Sequence, residues 1–362
     1  MSAALRSGII GTGFIGGVHA RAVHAAGGTL TAVADSSPET AEHGRERLKA
    51  GRAAGSAQEL IVSDDVDVVH VCTPNHLHAG LTEQALAAGK HVVCEKPLAM
   101  TLDEAQRLVD LAEKAGVVTA VPFVYRYYPT VREVRARVRA GEPGPLWLLH
   151  GSYLQDWLVG DSESNWRVDP ALGGASRAFA DIGVHWCDLM EFVTGHRITT
   201  LTAVLASAYT QRGADSATPV GTEDGAALLF RTDQGATGSL VASQVSPGRK
   251  NRLWFSFDGT SASYSFDQEL PDSLWVGGRH GNTTVHRSPD LSAEAGAYVT
   301  LPAGHPQGYQ DSFNAFVADT YAAITGPAPD GAPTFSDGLR AAQITAAVLE
   351  SAQSRSWVEV PA

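Results

Sequence analysis

The sequence predicts an α/β fold: an N-terminal Rossmann domain with a doubly wound parallel sheet, then a C-terminal α+β domain on an open, mostly antiparallel sheet. Three observations predict it. Over residues 5–123 short apolar runs alternate with helical stretches. A Gly-x-Gly-x-x-Gly motif joins the first run to the first helix. Beyond residue 123, strand-like runs follow one another with no helix between them, the mark of antiparallel pairing. A length of 362 residues suggests two domains, read here as 1–123 and 124–362.

The elements follow in order. LRSGIIG (5–11) is a short apolar strand and FIGGVHARAVHAA (14–26) a helix. TLTAVAD (29–35) is the second strand, followed by a helix that Pro38 opens. The strand VDVVHVCTP (66–74), a helix from His78 to Ala88, the strand HVVCEKP (91–97), a helix from Leu102 to Ala115 and the strand VVTAVPF (117–123) complete the set. A helix over 129–140 leads to the strand 145–154 and then to a loop rich in Gly, Asp and Trp. Runs at 200–210, 224–231, 236–245, 251–258, 261–267 and 272–277 alternate apolar and polar residues between Gly, Asp and Pro turns. Helices over 308–325 and 336–353 close the chain.

Composition excludes several classes. Hydrophobic residues make up 44% and charged residues 18%, enough apolar material for a large core. The net charge of -12 and the absence of a basic cluster argue against nucleic acid or an anionic membrane as partner. Arg132, Arg135, Arg137 and Arg139 are interleaved with valines and read as a solvated helix face. Cys72, Cys94 and Cys187 lack metal spacing and read as small buried residues of a reducing compartment. No apolar run approaches 18 residues, and the N-terminus has no signal-peptide layout, so the expected location is the cytoplasm.

Gly11, Gly13 and Gly16 follow a strand and open a helix, and a second strand ends in Asp35. That context makes a dinucleotide-binding fingerprint. Gly11 permits the tight turn, Gly13 lets the backbone approach a pyrophosphate, and Gly16 allows close helix–strand packing. Phe14 and Ile15 open the helix whose N-terminus attracts the phosphates. Asp35 suits the adenosine ribose diol and repels a 2′-phosphate. Ser36 and Ser37 follow it with no adjacent Arg, so NAD is expected and NADP disfavoured.

Two later strands end in CTPNHLHA (72–79) and CEKPLAM (94–100). Ligands of open parallel sheets bind at such carboxyl ends. Thr73, Pro74, Asn75, His78, Glu95, Lys96 and Pro97 are therefore expected at the cofactor. Lys96 can hydrogen-bond a substrate oxygen and stabilise an alkoxide. A surface ion pair is the alternative for Glu95-Lys96. His76 and His78 lack a third metal donor and read as loop histidines.

The stretch AFADIGVHWCDLMEF (178–192) reads as a buried helix, yet Asp181, His185 and Asp188 recur at one helical face. A metal, a buried ion pair or a substrate could satisfy them. An imidazole with a pKa near 6.5 can take an alcohol proton near neutrality. Asp181 can orient that imidazole or bind a neighbouring hydroxyl. Asp188 could orient the ring or serve a structural hydrogen bond.

GTGFIG, VADSSPE, CTPNHLHAGLTEQALAAGKHVVCEKPLAMTLDEAQRL and GGASRAFADIGVHWCDL together resemble the glucose–fructose oxidoreductase/inositol dehydrogenase family over nearly the whole chain. The resemblance implies a Rossmann domain followed by a sheet domain whose exposed face makes the subunit interface, giving a homodimer or homotetramer. It implies hydride transfer between nicotinamide and a secondary alcohol of a sugar or cyclitol. The family's EKP lysine matches Lys96, and its Asp-x-x-x-His pair matches Asp181 and His185. FVYRYYP (123–129) matches the segment that begins the second domain, which carries Arg126 to the cofactor edge and Tyr127 to the substrate. Catalysis is then expected in the cleft between the domains.

The loop 153–177 fits a polyol. Trp157 and Trp166 can stack on a sugar ring, or else anchor the loop. Tyr153, Gln155 and Arg167 supply hydroxyl partners, and Arg167 leaves an acidic or phosphorylated sugar open. Tyr309, in GHPQGYQDSF (304–313), is a further substrate candidate. Three other readings remain. The enzyme could hold NAD tightly and oxidise transiently, for glycoside cleavage or epimerisation. A non-catalytic NAD sensor would not need Lys96, Asp181 and His185 together. A metal hydrolase would need further ligands beside Asp181, His185 and Asp188, and no metal is expected.

Overall fold

A computed structural model describes residues 4–163, 165–213 and 218–361. Six strands, β1 (Arg6–Ile10), β2 (Thr29–Ala34), β3 (Arg52–Ala53), β4 (Val68–Val71), β5 (His91–Cys94) and β6 (Thr119–Ala120), form one parallel sheet in the order β3-β2-β1-β4-β5-β6. Helices α1 (Phe14–Ala25), α2 (Pro38–Leu48), α3 (Ala57–Ile61), α4 (His78–Ala87) and α5 (Leu102–Ala115) connect them. Ile9, Val33, Val69 and Val93 are fully buried, which explains the continuous apolar runs. Strand order reverses between β1 and β4, which sets the ligand crevice at their carboxyl ends. The sequence reading lacks β3 and α3, because two and five residues are too few to show a period.

The second sheet is built on α6 (Pro129–Arg139) and β7 (Leu146–Leu154). After α7 (Pro170–Gly173), a π-helical turn (Phe179–Gly183) runs into α8 (Val184–Thr194). Strands β8 (Ile198–Ala206), β9 (Gln211–Arg212), β10 (Thr218–Pro219), β11 (Gly225–Thr232), β12 (Thr237–Ser243), β13 (Arg252–Gly259), β14 (Ala262–Asp267), β15 (Ser273–Gly278) and β16 (Gly281–His286) follow. Then come α9 (Ala293–Gly296), α10 (Tyr309–Thr325), α11 (Phe335–Ser354) and β17 (Val358–Glu359). Nine strands pair in the order β16-β15-β14-β13-β7-β12-β11-β8-β17, and β9 and β10 form a separate ribbon. All pairings in the large sheet are antiparallel except β7 with β12.

One face of this sheet carries α6 and α8 and buries Leu149, Leu201, Phe230, Leu240, Phe255 and Phe257 completely. The other face leaves Trp147, Val204, Leu229 and Val241 exposed. The apolar–polar alternation of the strand sequences is thus an alternation between these faces. Trp186 of α8 is fully buried and donates Nε1–H to Trp254 O at 2.9 Å.

Two compact units emerge: residues up to Val124 with Tyr309–Ala342, and Tyr125–Gly308 with Gln343–Ala362. The sequence reading placed all of 124–362 in the second domain. Instead α10 joins the first unit, where Gln310 Nε2 donates to Val18 O at 3.2 Å and Tyr321 bonds Ser7. Periodicity marks α10 as a packed helix but does not say which sheet it packs on. A second correction concerns α6. Arg132 is not on a solvated face; it is buried over the rings of Tyr298 and Phe192 at 4.5 and 4.8 Å. Guanidinium–aromatic contact makes that burial tolerable.

Gly151 of β7 is where α8 presses closest. A Cβ there would meet Trp254 O at 2.2 Å and Trp186 Nε1 at 2.3 Å. Gly151→Val is expected to cost about 1–3 kcal/mol through overpacking. Urea unfolding followed by tryptophan fluorescence checks it, and an unchanged midpoint contradicts this packing.

Candidate active site

The first unit builds a phosphate cradle from its glycines. Gly11 has φ +94°, and a side chain there would lie 2.5 Å from Cys72 O at the end of β4. A Cβ on Gly16 would meet Gly11 O at 2.1 Å, so α1 seats only against glycine. Gly13 faces open space, with nothing within 4 Å of a built Cβ. It caps α1 with no side-chain hydrogen bond, which leaves first-turn N–H groups for an anion. Phe14 is exposed and Ile15 half-buried beside them.

Asp35 is held in place before any ligand arrives. Its Oδ2 accepts from Thr12 N and Oγ1 at 2.7 and 2.6 Å, and its Oδ1 accepts from Ser36 N at 2.7 Å. At the end of β4, the buried Thr73 Oγ1 makes no hydrogen bond to any described residue. Open space at Gly13, an uncapped helix N-terminus, a fixed carboxylate and an orphaned hydroxyl fit a dinucleotide. Sequence reading missed Arg47, which donates to Thr12 O from the far end of α2. It is 12 residues beyond Asp35, and only the fold brings it to the glycine loop.

Pro74 and Asn75 continue from Thr73, and Lys96 and Pro97 follow β5, each partly or wholly buried. His78 spans the two strand ends: its Nε2 lies 2.8 Å from Thr73 O and its Nδ1 2.7 Å from Pro97 O. Both ring nitrogens therefore face backbone carbonyls rather than the cofactor contact expected. Glu95 is buried, with Oε1 3.0 Å from His19 Nε2 and Oε2 accepting Lys96 N–H at 3.1 Å. It is neither a surface ion-pair member nor an exposed cofactor contact.

In the second unit a buried carboxylate organises the entry to α8. Glu223 Oε1 accepts from Ser176 Oγ at 2.7 Å, Arg177 N at 3.0 Å and Phe179 N at 2.9 Å. An anion at a helix start is stabilised by the unpaired N–H groups. A Cβ on Gly183 would meet Phe179 Cδ2 at 2.4 Å, so the π turn closes only with glycine there. π turns are frequent at functional sites. Sequence periodicity assumed regular α-helix and did not show it.

The three polar residues of this stretch take different partners. Asp188 forms a buried bidentate ion pair with Arg126, with Nε to Oδ2 at 2.9 Å and a second bond from Nη2 to Oδ1. Arg126 was expected at the cofactor edge; its charge is instead committed to Asp188 and to the Phe192 ring at 4.9 Å. Asp181 accepts from Gln244 Nε2 at 2.7 Å and lies 3.5 Å from Arg167 Nε. His185 is 7% exposed and meets the ring of Tyr125 edge-on at 5.1 Å and that of Tyr153 at 6.3 Å.

Around His185 the hydroxyls are linked. Tyr125 and Tyr153 share a hydrogen bond, and Asn251 Oδ1 accepts from Tyr153 OH at 2.7 Å and from Gln155 Nε2 at 2.8 Å. Gln155 Oε1 accepts from Trp157 Nε1 at 2.9 Å, and Trp166 lies under Arg167 at 4.3 Å. Burial pushes the Tyr125 phenol up; bonds to Tyr153 and Asn251 pull it partly back. The structure thus gathers Asp181, His185, Tyr153, Gln155 and Trp157, with Arg167 bringing Trp166 to Asp181. Tyr127 is not part of this group: it is buried between Arg132 and Tyr298. Of FVYRYYP it is Tyr125 that lies against His185, and sequence reasoning also missed Asn251 and Gln244, which sit at strand ends with no motif. Tyr309 opens α10 in the first unit and packs on Phe313 at 5.2 Å.

Comparison with known proteins decides the family. A model described as an oxidoreductase family with an NAD-binding Rossmann fold matches residues 5–123. One for the GFO/IDH/MocA C-terminal domain matches residues 131–265. A levoglucosan dehydrogenase of Pseudarthrobacter phenanthrenivorans is 31% identical over 388 residues, covering 99% of this chain and 98% of the relative. The chain belongs to the GFO/IDH/MocA oxidoreductase family. The structure of levoglucosan dehydrogenase with NADH and levoglucosan matches at TM-score 0.93 and 31% identity, over 99% of this chain and 100% of that one. An inositol dehydrogenase homologue with NAD+ from Azotobacter vinelandii matches at 0.90 and 26% identity, over 99% and 98%. As a GFO/IDH/MocA member the protein carries an NAD-binding Rossmann domain, and its relatives include sugar dehydrogenases.

Two expected outcomes follow from this geometry. Gly13→Val should leave the fold intact, since the side chain enters open space, but raise the NADH Kd at least about 100-fold by blocking phosphate approach. Gly16→Ala should instead lower the unfolding midpoint of the first unit. NADH fluorescence titration and circular dichroism separate the two, and tight NADH binding by the Gly13 variant would contradict the cradle.

The second outcome concerns pH. Burial holds His70, His91 and His196 below the ordinary imidazole value. The unfolded chain takes up protons there below about pH 6.5 that the folded rings refuse, so stability is lost as pH falls through that value. Burial alone would raise Asp35, Glu95 and Asp224, but hydrogen bonds from Thr12 and Ser36, from His19, and from Arg212 and Arg177 outweigh it. Their contribution persists above about pH 4 and is lost as pH falls further. The urea midpoint should therefore fall in two stages on acidification; a midpoint constant from about pH 7 to 5 contradicts the neutral buried imidazoles.

Proposed function

We propose that the protein is an NAD-dependent dehydrogenase that transfers hydride between nicotinamide and a secondary alcohol or ketone of a sugar, sugar derivative or inositol. The observation that carries this reading is His185, held on a helix anchored by Glu223 and Trp186 and flanked by the rings of Tyr125 and Tyr153, of which Tyr153 donates to Asn251. Bound NAD supplies the hydride acceptor. His185 accepts the alcohol proton, and Asp181, fixed by Gln244 and Arg167, binds a neighbouring hydroxyl. Lys96 donates to the reacting oxygen and stabilises its developing charge. The linked amide and phenol groups of Gln155, Asn251, Tyr125 and Tyr153 offer the paired donors and acceptors that vicinal hydroxyls need. Trp157 and Trp166 present ring faces to a pyranose. Asp35 favours NAD over NADP because a carboxylate repels a 2′-phosphate.

The end-to-end match to levoglucosan dehydrogenase makes pyranoses and anhydrosugars the first compounds to test. The exposed Trp147, Val204, Leu229 and Val241 support a homo-oligomer built on the sheet. Among the described residues no helix is long and apolar enough to cross a membrane. Asp188 is neutralised by Arg126, which disfavours a metal centre on this helix.

A panel of monosaccharides, anhydrosugars, inositols and sugar acids, assayed by NADH absorbance, should yield a substrate. With it, His185→Ala should lower kcat by roughly 10²–10⁴ with NADH binding nearly intact. Normal turnover by that variant would remove His185 from the proton step. Turnover of a glycoside without net NADH would replace the dehydrogenase with the redox-neutral chemistry.

A further inference from the structure

The first unit buries a continuous chain of polar side chains that the proposed chemistry does not use. Glu95 Oε1 lies 3.0 Å from His19 Nε2, and His19 Nδ1 lies 3.0 Å from His70 Nδ1. His70 Nε2 lies 3.2 Å from Tyr321 OH, which in turn bonds Ser7 Oγ. Ser7, His19 and His70 are fully buried, and Glu95 and Tyr321 are each 6% exposed. Phe313 packs on the His19 ring at 5.0 Å. These residues come from β1, α1, β4, the end of β5 and α10, so no local sequence pattern joins them.

An ionised Glu95 and singly protonated rings set one direction for the bonds. Glu95 carries two duties at once: Oε1 faces His19, while Oε2 accepts the backbone N–H of Lys96. An ionised carboxylate only accepts, so His19 Nε2 carries a proton and donates it. With neutral rings, His19 Nδ1 then accepts from His70 Nδ1–H. His70 Nε2 accepts from Tyr321 OH, and Tyr321 accepts from Ser7. Every donor points toward Glu95. Burying a carboxylate is costly unless it is paired and hydrogen-bonded, so such an arrangement points to a constraint on Glu95.

We propose that His19 is a positioning residue for Lys96, acting through Glu95: the imidazole pins one carboxylate oxygen so that the other holds the Lys96 backbone at the end of β5. The inference rests on the reading of Lys96 as the group that meets the reacting oxygen. It adds that Glu95 keeps a negative charge beside the Lys96 ammonium. The ionisable groups around Glu95 are His19, Lys96, His78 and the Cys72 and Cys94 thiols, with His70 and Tyr321 beyond His19. His19 donates the hydrogen bond that keeps Glu95 charged among them.

Three variants test it. His19→Phe keeps the ring packing against Phe313 and removes the donor. His19→Gln keeps a donor, and Glu95→Gln removes the charge. His19→Phe and Glu95→Gln should lower kcat about tenfold and leave the NADH Kd within about twofold, and Glu95→Gln, which removes the charge, should move the alkaline limb of the pH–kcat/KM profile down by about one unit. His19→Gln should recover most of the lost kcat. If His19→Phe folds with wild-type kcat, the ring is only packing and the proposal fails. If it does not fold, Glu95→Gln with an unmoved alkaline limb overturns the proposal equally. The link to Glu95 is read without turnover, from imidazole ¹⁵N shifts of the cofactor-free protein. His19 should be protonated on Nε2 and His70 on Nδ1, and an unprotonated His19 Nε2 refutes the bond. Should those shifts agree while Lys96→Ala retains full turnover, the reading of Lys96 is the part that fails.

Discussion

The second unit depends on one buried carboxylate. Glu223 Oε1 gathers the Ser176 hydroxyl and two backbone N–H groups, and so determines where the segment from Phe179 begins. Its neighbour Asp224 is equally buried and is paired with Arg177 and Arg212. Arg177 thereby ties the helix entry to β11, and Arg212 donates to Gly160 O at 2.7 Å and ties in the preceding loop. Removing one partner of such a cluster leaves a charge without solvent or counter-ion, which is far costlier than the cluster's net contribution. The entry to α8 is consequently tied to its neighbours by buried, mutually paired charges.

From that fixed start, a π turn bearing Asp181 leads into α8, which carries His185 and Asp188. A regular helix would stack Asp181, His185 and Asp188 along one face. The widened turn at Phe179–Gly183 offsets Asp181 from His185 and Asp188, which both lie on α8, and the three take different partners. Asp188 is used to bury Arg126, Asp181 is held between an amide and a guanidinium, and His185 lies against two tyrosine rings. The wholly buried Trp186, anchored to Trp254 O, holds the helix turn that carries the preceding residue, His185. Packing, hydrogen bonding and chemistry thus share one 16-residue segment from Phe179 to Thr194.

The first unit solves a different problem, which is to leave space. Gly11 and Gly16 are places where a methyl group would collide with backbone, whereas Gly13 is a place where nothing yet stands. Asp35 joins both themes, since the hydrogen bonds that hold its carboxylate also fix the loop at Thr12. The polar chain from Ser7 to Glu95 then connects the middle of the sheet to the strand end that bears Lys96.

Much of this was legible in the residues alone. The glycine fingerprint, the alternation of strand and helix, the acidic end of β2 and the one-turn spacing of Asp181 and His185 are local patterns, because backbone sterics and helical period act over a few residues. The switch from continuous to alternating apolar strands also marked the change from a sheet covered on both faces to one covered on a single face. Tertiary structure decided the rest. It chose Tyr125 over Tyr127 beside His185, buried Arg132, gave Asp188 to Arg126, and returned α10 to the first unit. It brought Arg47 to the glycine loop and His19 to Glu95. Each of these is a contact between residues remote in the chain or a choice among equivalent neighbours. Sequence period says which face a side chain occupies; only packing says what stands opposite it.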